Sequence, residues 1–211
     1  MDRPVVQVSK AGGERADAAR NRAHLLDTAR ALMAEHGATK VTMDGLAASS
    51  GLGKGTVFRR FGSRAGIFRA LLEDEETKLQ QAVLSGPPPL GPGAAPLERL
   101  IAYGAARVDF LFDNYEIARA ALDGGQSAPM GAQTPLSRIH IRMLLDLIKP
   151  PVSDRGVLAT QLTAALDGPA LLLLHVDDFA DAKNDQVRAK FVQGWSDLVG
   201  LVCRHTSTGH G

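Results

Sequence analysis

The chain has 211 residues, is 45% hydrophobic and 22% charged, and carries a net charge of +1 with one cysteine, Cys203. That length allows one large domain or two small ones with a stable core. A single cysteine excludes an internal disulfide and fits the reducing cytoplasm in which the protein is expected; no stretch reaches the 18 apolar residues of a spanning helix, and the N-terminus lacks the apolar run of a signal peptide.

The near-neutral total hides an asymmetry. Residues 1–72 hold 12 Lys and Arg against 6 Asp and Glu, whereas residues 73–211 hold 12 against 17. A basic first third on an acidic remainder points to a polyanionic partner for that third. Alanine and leucine dominate and β-branched residues are sparse, which favours helices over strands.

Residues 1–18 are polar and aperiodic, and read as a flexible arm. From Arg20 to His36 the residues Leu25, Leu26, Ala29, Leu32 and Met33 share one helical face, and Gly37 supplies a stop. Thr42 stands at an N-cap position, with Asp44 in the first turn of a short helix over 43–49 that ends before Gly51. A second short helix is expected from about Gly53 to Phe61, and Ser63 can cap a long one from Arg64 to about Leu84. Residues 85–96, SGPPPLGPGAAP, hold five prolines and three glycines and read as a loop. Pro96 then opens a helix carrying Leu100, Ile101, Val108, Leu111 and Phe112. Shorter helical pieces are expected over 115–122 and 136–148. Asp154 caps an apolar segment reaching Val176, and a last helix covers 184–204. The expectation is an all-α chain of about nine helices, with an N-terminal three-helix domain containing a helix-turn-helix and a C-terminal helical domain for ligand binding and dimerisation. The boundaries are 1–18, 19–66 and 67–211.

Gly53-Lys54-Gly55-Thr56 superficially suggests a phosphate-binding loop. That loop needs Gly, four residues, then Gly-Lys-Ser/Thr after a strand. Here Ala48 occupies the first glycine position, Gly55 follows the lysine, and no strand precedes. Two helices crossing at a tight turn explain the pattern better. Ala47 permits close approach, Gly51 supplies the left-handed residue, and Leu46, Leu52, Val57 and Phe61 form the shared core. Steps of about 100° per residue put Lys54, Gly55, Phe58 and Arg59 on the opposite face.

The stretch VTMDGLAASSGLGKGTVFRRFGSRAGIFRALL resembles the helix-turn-helix of TetR-type transcriptional regulators. The likeness covers residues 20–72, and beyond residue 85 is only architectural. It implies a two-fold dimer on a palindromic DNA operator, released by a small-molecule ligand. Two positions depart from the family's habit: Phe58 replaces a tyrosine, removing a hydroxyl donor, and Arg60 replaces a histidine, leaving a permanent cation. By chemistry, Arg59 and Lys54 are candidates for base edges. Thr42, Thr56, Arg60 and Arg64 are candidates for phosphates, and Phe58 for a sugar or thymine methyl, with Gly55 permitting close approach.

In the C-terminal domain, Leu171 to Leu174 are apolar on every side of their helix. The last helix offers a stripe of Phe191, Trp195, Leu198 and Val202. Together they suggest a four-helix dimer interface. Pro169 breaks the helix hydrogen bonding near Asp167. Candidate ligand residues on facing helices are Tyr103, Arg107, Phe110, Arg119, His140, Met143 and Asp167, with Arg107 suited to an anion. His175 to Asp178 lack a second metal-ligating cluster, and no nucleophile triad or paired carboxylates stand out. No metal, cofactor or enzymatic activity is therefore expected. The expected function is a dimeric, ligand-released repressor; the alternative is a helical small-molecule-binding protein or enzyme whose helix-turn-helix is vestigial.

Overall fold

The computed structural model describes residues 10–122, 135–173 and 185–203. Regular structure among the described residues is entirely helical: α1 (Lys10–His36), α2 (Met43–Ser50), α3 (Lys54–Phe61), α4 (Arg64–Ser85), α5 (Pro96–Asp113), α6 (Tyr115–Ala121), α7 (Pro135–Ile148), α8 (Arg155–Leu173) and α9 (Asp185–Cys203), with a 3₁₀ turn over Ala38–Lys40. The chain divides into two compact units, Met1–Leu71 and Leu72–Gly211.

The first helix starts at Lys10, so the segment read as a flexible arm is helical over 10–18. Gly12 and Gly13 look like a break in isolation. Adding residues to an existing helix avoids the cost of nucleation, however, and Ala11, Glu14, Ala16, Ala18 and Ala19 favour propagation.

Each helix junction in the first unit has a local cause. Thr42 Oγ1 accepts from Gly45 N at 3.0 Å and caps α2, and Gly51 closes it in the left-handed region at φ 69°. Gly62 ends α3 at φ 70°, and Ser63 Oγ accepts from Gly66 N at 3.1 Å to start α4. Gly66 itself has no alternative: a Cβ there would lie 1.8 Å from the Phe61 carbonyl oxygen. Leu25, Leu26 and Ala29 of α1, Leu46 and Ala47 of α2, Val57 and Phe61 of α3, and Ile67, Phe68 and Leu71 of α4 are buried. Leu52 is only partly buried.

In the second unit α5 packs against α9 and α7, and α7 against α8. Pro96 opens α5, and Glu98 Oε2 accepts from Ala95 N at 3.3 Å. Asp154 Oδ1 accepts from Gly156 N and Val157 N and caps α8. Those two amides hold the Asp154 carboxyl below its ordinary pKa, Val157 contributing most. The core contains Val83, Leu100, Val108, Ile141, Leu144, Leu145, Leu158, Leu162, Leu166, Trp195 and Val199. Trp195 is seated by one specific allowance. Gly104 leaves space where a Cβ would come within 1.9 Å of the indole nitrogen, and Trp195 Nε1 donates to the Leu100 carbonyl at 3.1 Å. No described helix is long and apolar enough to cross a membrane.

Candidate nucleic-acid interface and effector pocket

Helix α3 has two sharply different faces. Val57 is fully buried and Phe61 nearly so, which anchors the helix. Lys54, Gly55, Phe58 and Arg59 are all exposed, as their spacing requires. Phe58 is 55% exposed, so its ring is available to a partner that approaches this face. A Cβ on Gly55 would meet nothing within 4 Å, so this face is free of side-chain bulk. Arg59 makes no ion pair or hydrogen bond to any described residue, whereas Lys54 Nζ meets Asp44 Oδ1 at 2.9 Å. Both members of that pair are about 70% exposed, so water and salt screen it and the lysine is readily released to another anion.

The flanking candidates are more committed. Arg60 donates to the Ala18 carbonyl at 2.5 Å, across from α1. Arg64 donates to the carbonyls of Val41 (2.9 Å) and Ala38 (2.7 Å), and its guanidinium lies 4.9 Å from the Phe68 ring centre. Arg64 therefore braces the turn before α2. Thr56 is half-buried and lines a groove with Arg59, Arg60, Asp17, Ala18 and Asn21. Thr42 caps α2 and is itself exposed.

The expected ligand residues separate into two groups. Tyr103, Arg107, Phe110, His140 and Asp167 are buried. Arg107 donates to Asp167 Oδ1 at 3.0 Å and to Glu76 Oε2 at 2.8 Å, and its guanidinium sits 4.9 Å from the centre of Phe110. Burial alone would lower its pKa, but the two carboxylates outweigh it and hold the guanidinium more firmly charged than usual. Tyr103 donates to Ser137 Oγ at 2.6 Å and stacks on His140 at 5.0 Å. Burial raises the Tyr103 pKa and pulls that of His140 down to about 4, with Arg99 adding to the latter. A pocket of about 10 Å³ lies beside this group, no more than a single water's worth. Arg107 as an anion receptor is thus corrected: two carboxylates of the chain already occupy it. Arg119 and Met143 are exposed and not part of the cluster, because both lie on the outer faces of their helices.

A larger cleft of about 190 Å³ lies elsewhere, between α5, α6, α8 and α9. Val108, Leu111 and Phe112, Tyr115, Leu166 and Pro169, and Phe191, Trp195 and Leu198 wall it, with Lys190 and Gly194. Three of the residues expected at a dimer interface, Phe191, Trp195 and Leu198, therefore line a cavity of their own chain. Trp195 is 4% exposed before any second chain is added, because α5 covers it, so its assignment to a subunit interface is corrected. Val202 is half-buried. Leu171 falls in α8, but its side chain, like all of Leu174 and the His175–Asp178 cluster, lies outside the described residues. Sequence reading missed this cleft, because its walls come from four helices that no local pattern brings together.

The family model for bacterial regulatory proteins of the tetR family matches residues 25–71, the span from the first buried residues of α1 to the end of the first unit. No curated protein matches the sequence. Among solved structures, a TetR-family transcriptional regulator from Pectobacterium atrosepticum is similar over 89% of this chain and 94% of that one, with TM-score 0.60 and 21% identity. A TetR transcriptional regulator from Streptomyces coelicolor is similar over 88% and 99%, with TM-score 0.53 and 23% identity. A third, described as the molecular basis for control of antibiotic production by bacterial hormones, covers 87% and 97% with TM-score 0.53 and 19% identity. Residues 25–71 thus match the tetR-family model, and the all-helical fold of the described residues is shared with these solved structures.

Proposed function

We propose that the protein binds a palindromic operator as a homodimer and represses transcription until a small molecule releases it. The carrying observation is the exposed face of α3, where Arg59 is unengaged by any described residue, Lys54 is only loosely held and Phe58 is 55% exposed. A guanidinium spans guanine O6 and N7 in the major groove, and the ring fits against a thymine methyl or sugar. Thr42, Thr56 and Arg60 flank that face, and their hydroxyl and guanidinium donors are of the kind that meets backbone phosphates. Arg64 joins them only where its backbone bonds leave a donor to spare. Two such helices about 34 Å apart would enter successive major grooves, which is the geometric reason for a dimer. Release by a ligand is supported by the cleft in the second unit and by the hormone-linked description of one similar structure. Selection from random DNA tests the reading. A recovered palindrome, bound with an affinity that falls steeply with salt, is the expected result. Binding indifferent to sequence would favour a vestigial helix-turn-helix.

A further inference from the structure

We propose that the cleft between α5, α6, α8 and α9 is the effector site, and that its ligand is a small aromatic or short-chain carboxylate whose anionic end meets Lys190; this rests on the ligand-released reading above. The volume sets the size. At about 190 Å³ the cleft modestly exceeds the roughly 150 Å³ apolar cavity that takes up benzene, so the apolar body is on the order of one substituted ring. The walls set the polarity: Val108, Leu111, Phe112, Leu166, Phe191 and Trp195 offer contact but no charge. Lys190 is the only charged residue in the lining, is exposed, and has no ion-pair or hydrogen-bond partner among the described residues.

One backbone feature adds an acceptor. Ala165 and Pro169 both line the cleft, and Pro169 has no N–H to donate to the Ala165 carbonyl four residues back. That carbonyl, on an exposed residue, lacks its usual helical donor, so a ring hydroxyl that reaches it gains a hydrogen bond, and a hydroxylated ring should bind better than a bare one. Gly194 keeps the α9 side open. A Cβ there would meet nothing within 4 Å, so the position accepts a larger residue at the edge of the cleft.

Trp195 is the chain's one tryptophan and forms part of the wall, so its fluorescence reports occupancy directly. Three probes are titrated into the full-length protein: 4-phenylbutanoate, its neutral amide, and the ring-hydroxylated acid. The acid should quench or shift the emission and bind more tightly than the amide. Lys190→Met should erase that difference, a loss of about two- to fivefold for the acid alone, as an exposed ion pair would give. Gly194→Leu should weaken all three at least tenfold while raising helix propensity, so misfolding does not explain the loss. Unchanged binding in Gly194→Leu, or an acid that binds no better than the amide, overturns the proposal. A Gly194→Leu change in sedimentation with no change in binding also overturns it, by making the cleft a contact for a second copy. Because fluorescence needs no DNA, the site's failure and the failure of operator release are read separately.

Discussion

Two arginines show how differently the units use charge. Arg59 stands on α3 exposed and unengaged by any described residue; Arg107 lies 1% exposed in the second unit, held by Glu76 and Asp167. The first is a charge offered to something absent from the chain. The second is a charge the fold has already answered, and its environment excludes a further anion. Residue type alone marked both as anion-binding. Burial and partners distinguish them, and the lesson is that an arginine reads as a binding site only where the chain leaves its donors unspent.

The largest effect should come from breaking the answered charge. Arg107→Met leaves Asp167 unpaired in a buried setting, and removing one partner of a buried pair costs about 3–5 kcal/mol. Denaturant unfolding should show that loss, while Arg59→Ala leaves the midpoint within about 0.5 kcal/mol of the native protein, as surface changes do. A mild Arg107→Met would mean the pair is wetter than its burial indicates.

Buried His140 sharpens the same contrast. Its folded pKa of about 4 lies below the ordinary 6.5, so the unfolded state takes up the proton first. Stability should be full above pH 6.5 and fall as pH drops toward 4, by at most about 3 kcal/mol. His140→Leu should flatten the slope in that window, read from unfolding midpoints at a series of pH values. An equally steep variant would assign the slope to carboxylates instead.

How much of this was legible in the sequence follows distance along the chain. Thr42, Gly51, Ser63 and the two faces of α3 are local matters of capping, left-handed turns and 100° steps, and they were read correctly from spacing. The Gly104–Trp195 fit and the Arg107–Asp167 pair join residues far apart in sequence, where periodicity carries no information. An apolar stripe such as Phe191–Trp195–Leu198 says only that something covers it. Whether a neighbouring helix, a cavity or a second subunit does so is decided by packing that one helix cannot reveal. The early start of α1 was missed for a related reason: two glycines weaken a helix but do not forbid one that is already nucleated.

Smaller effects test the packing and the caps. Gly104→Ala should cost about 1–3 kcal/mol through overpacking against Trp195 and shift its emission, both seen in a fluorescence-detected melt. A neutral Gly104→Ala would show that α5 and α9 can move apart freely. Thr42→Ala removes the acceptor for Gly45 N and should cost about 1 kcal/mol, and its effect on DNA affinity should be uniform across sequences.

The central claim, that the exposed face of α3 reads bases, is tested most directly by competition binding of the native protein and Arg59→Ala. The competitors are the selected operator and single base-pair variants across each half-site. The expected loss is about 1–3 kcal/mol on the best operator, vanishing on variants altered at one particular pair. If Arg59→Ala instead weakens every sequence alike, its guanidinium rests on phosphate and the account of α3 as the reading face is contradicted.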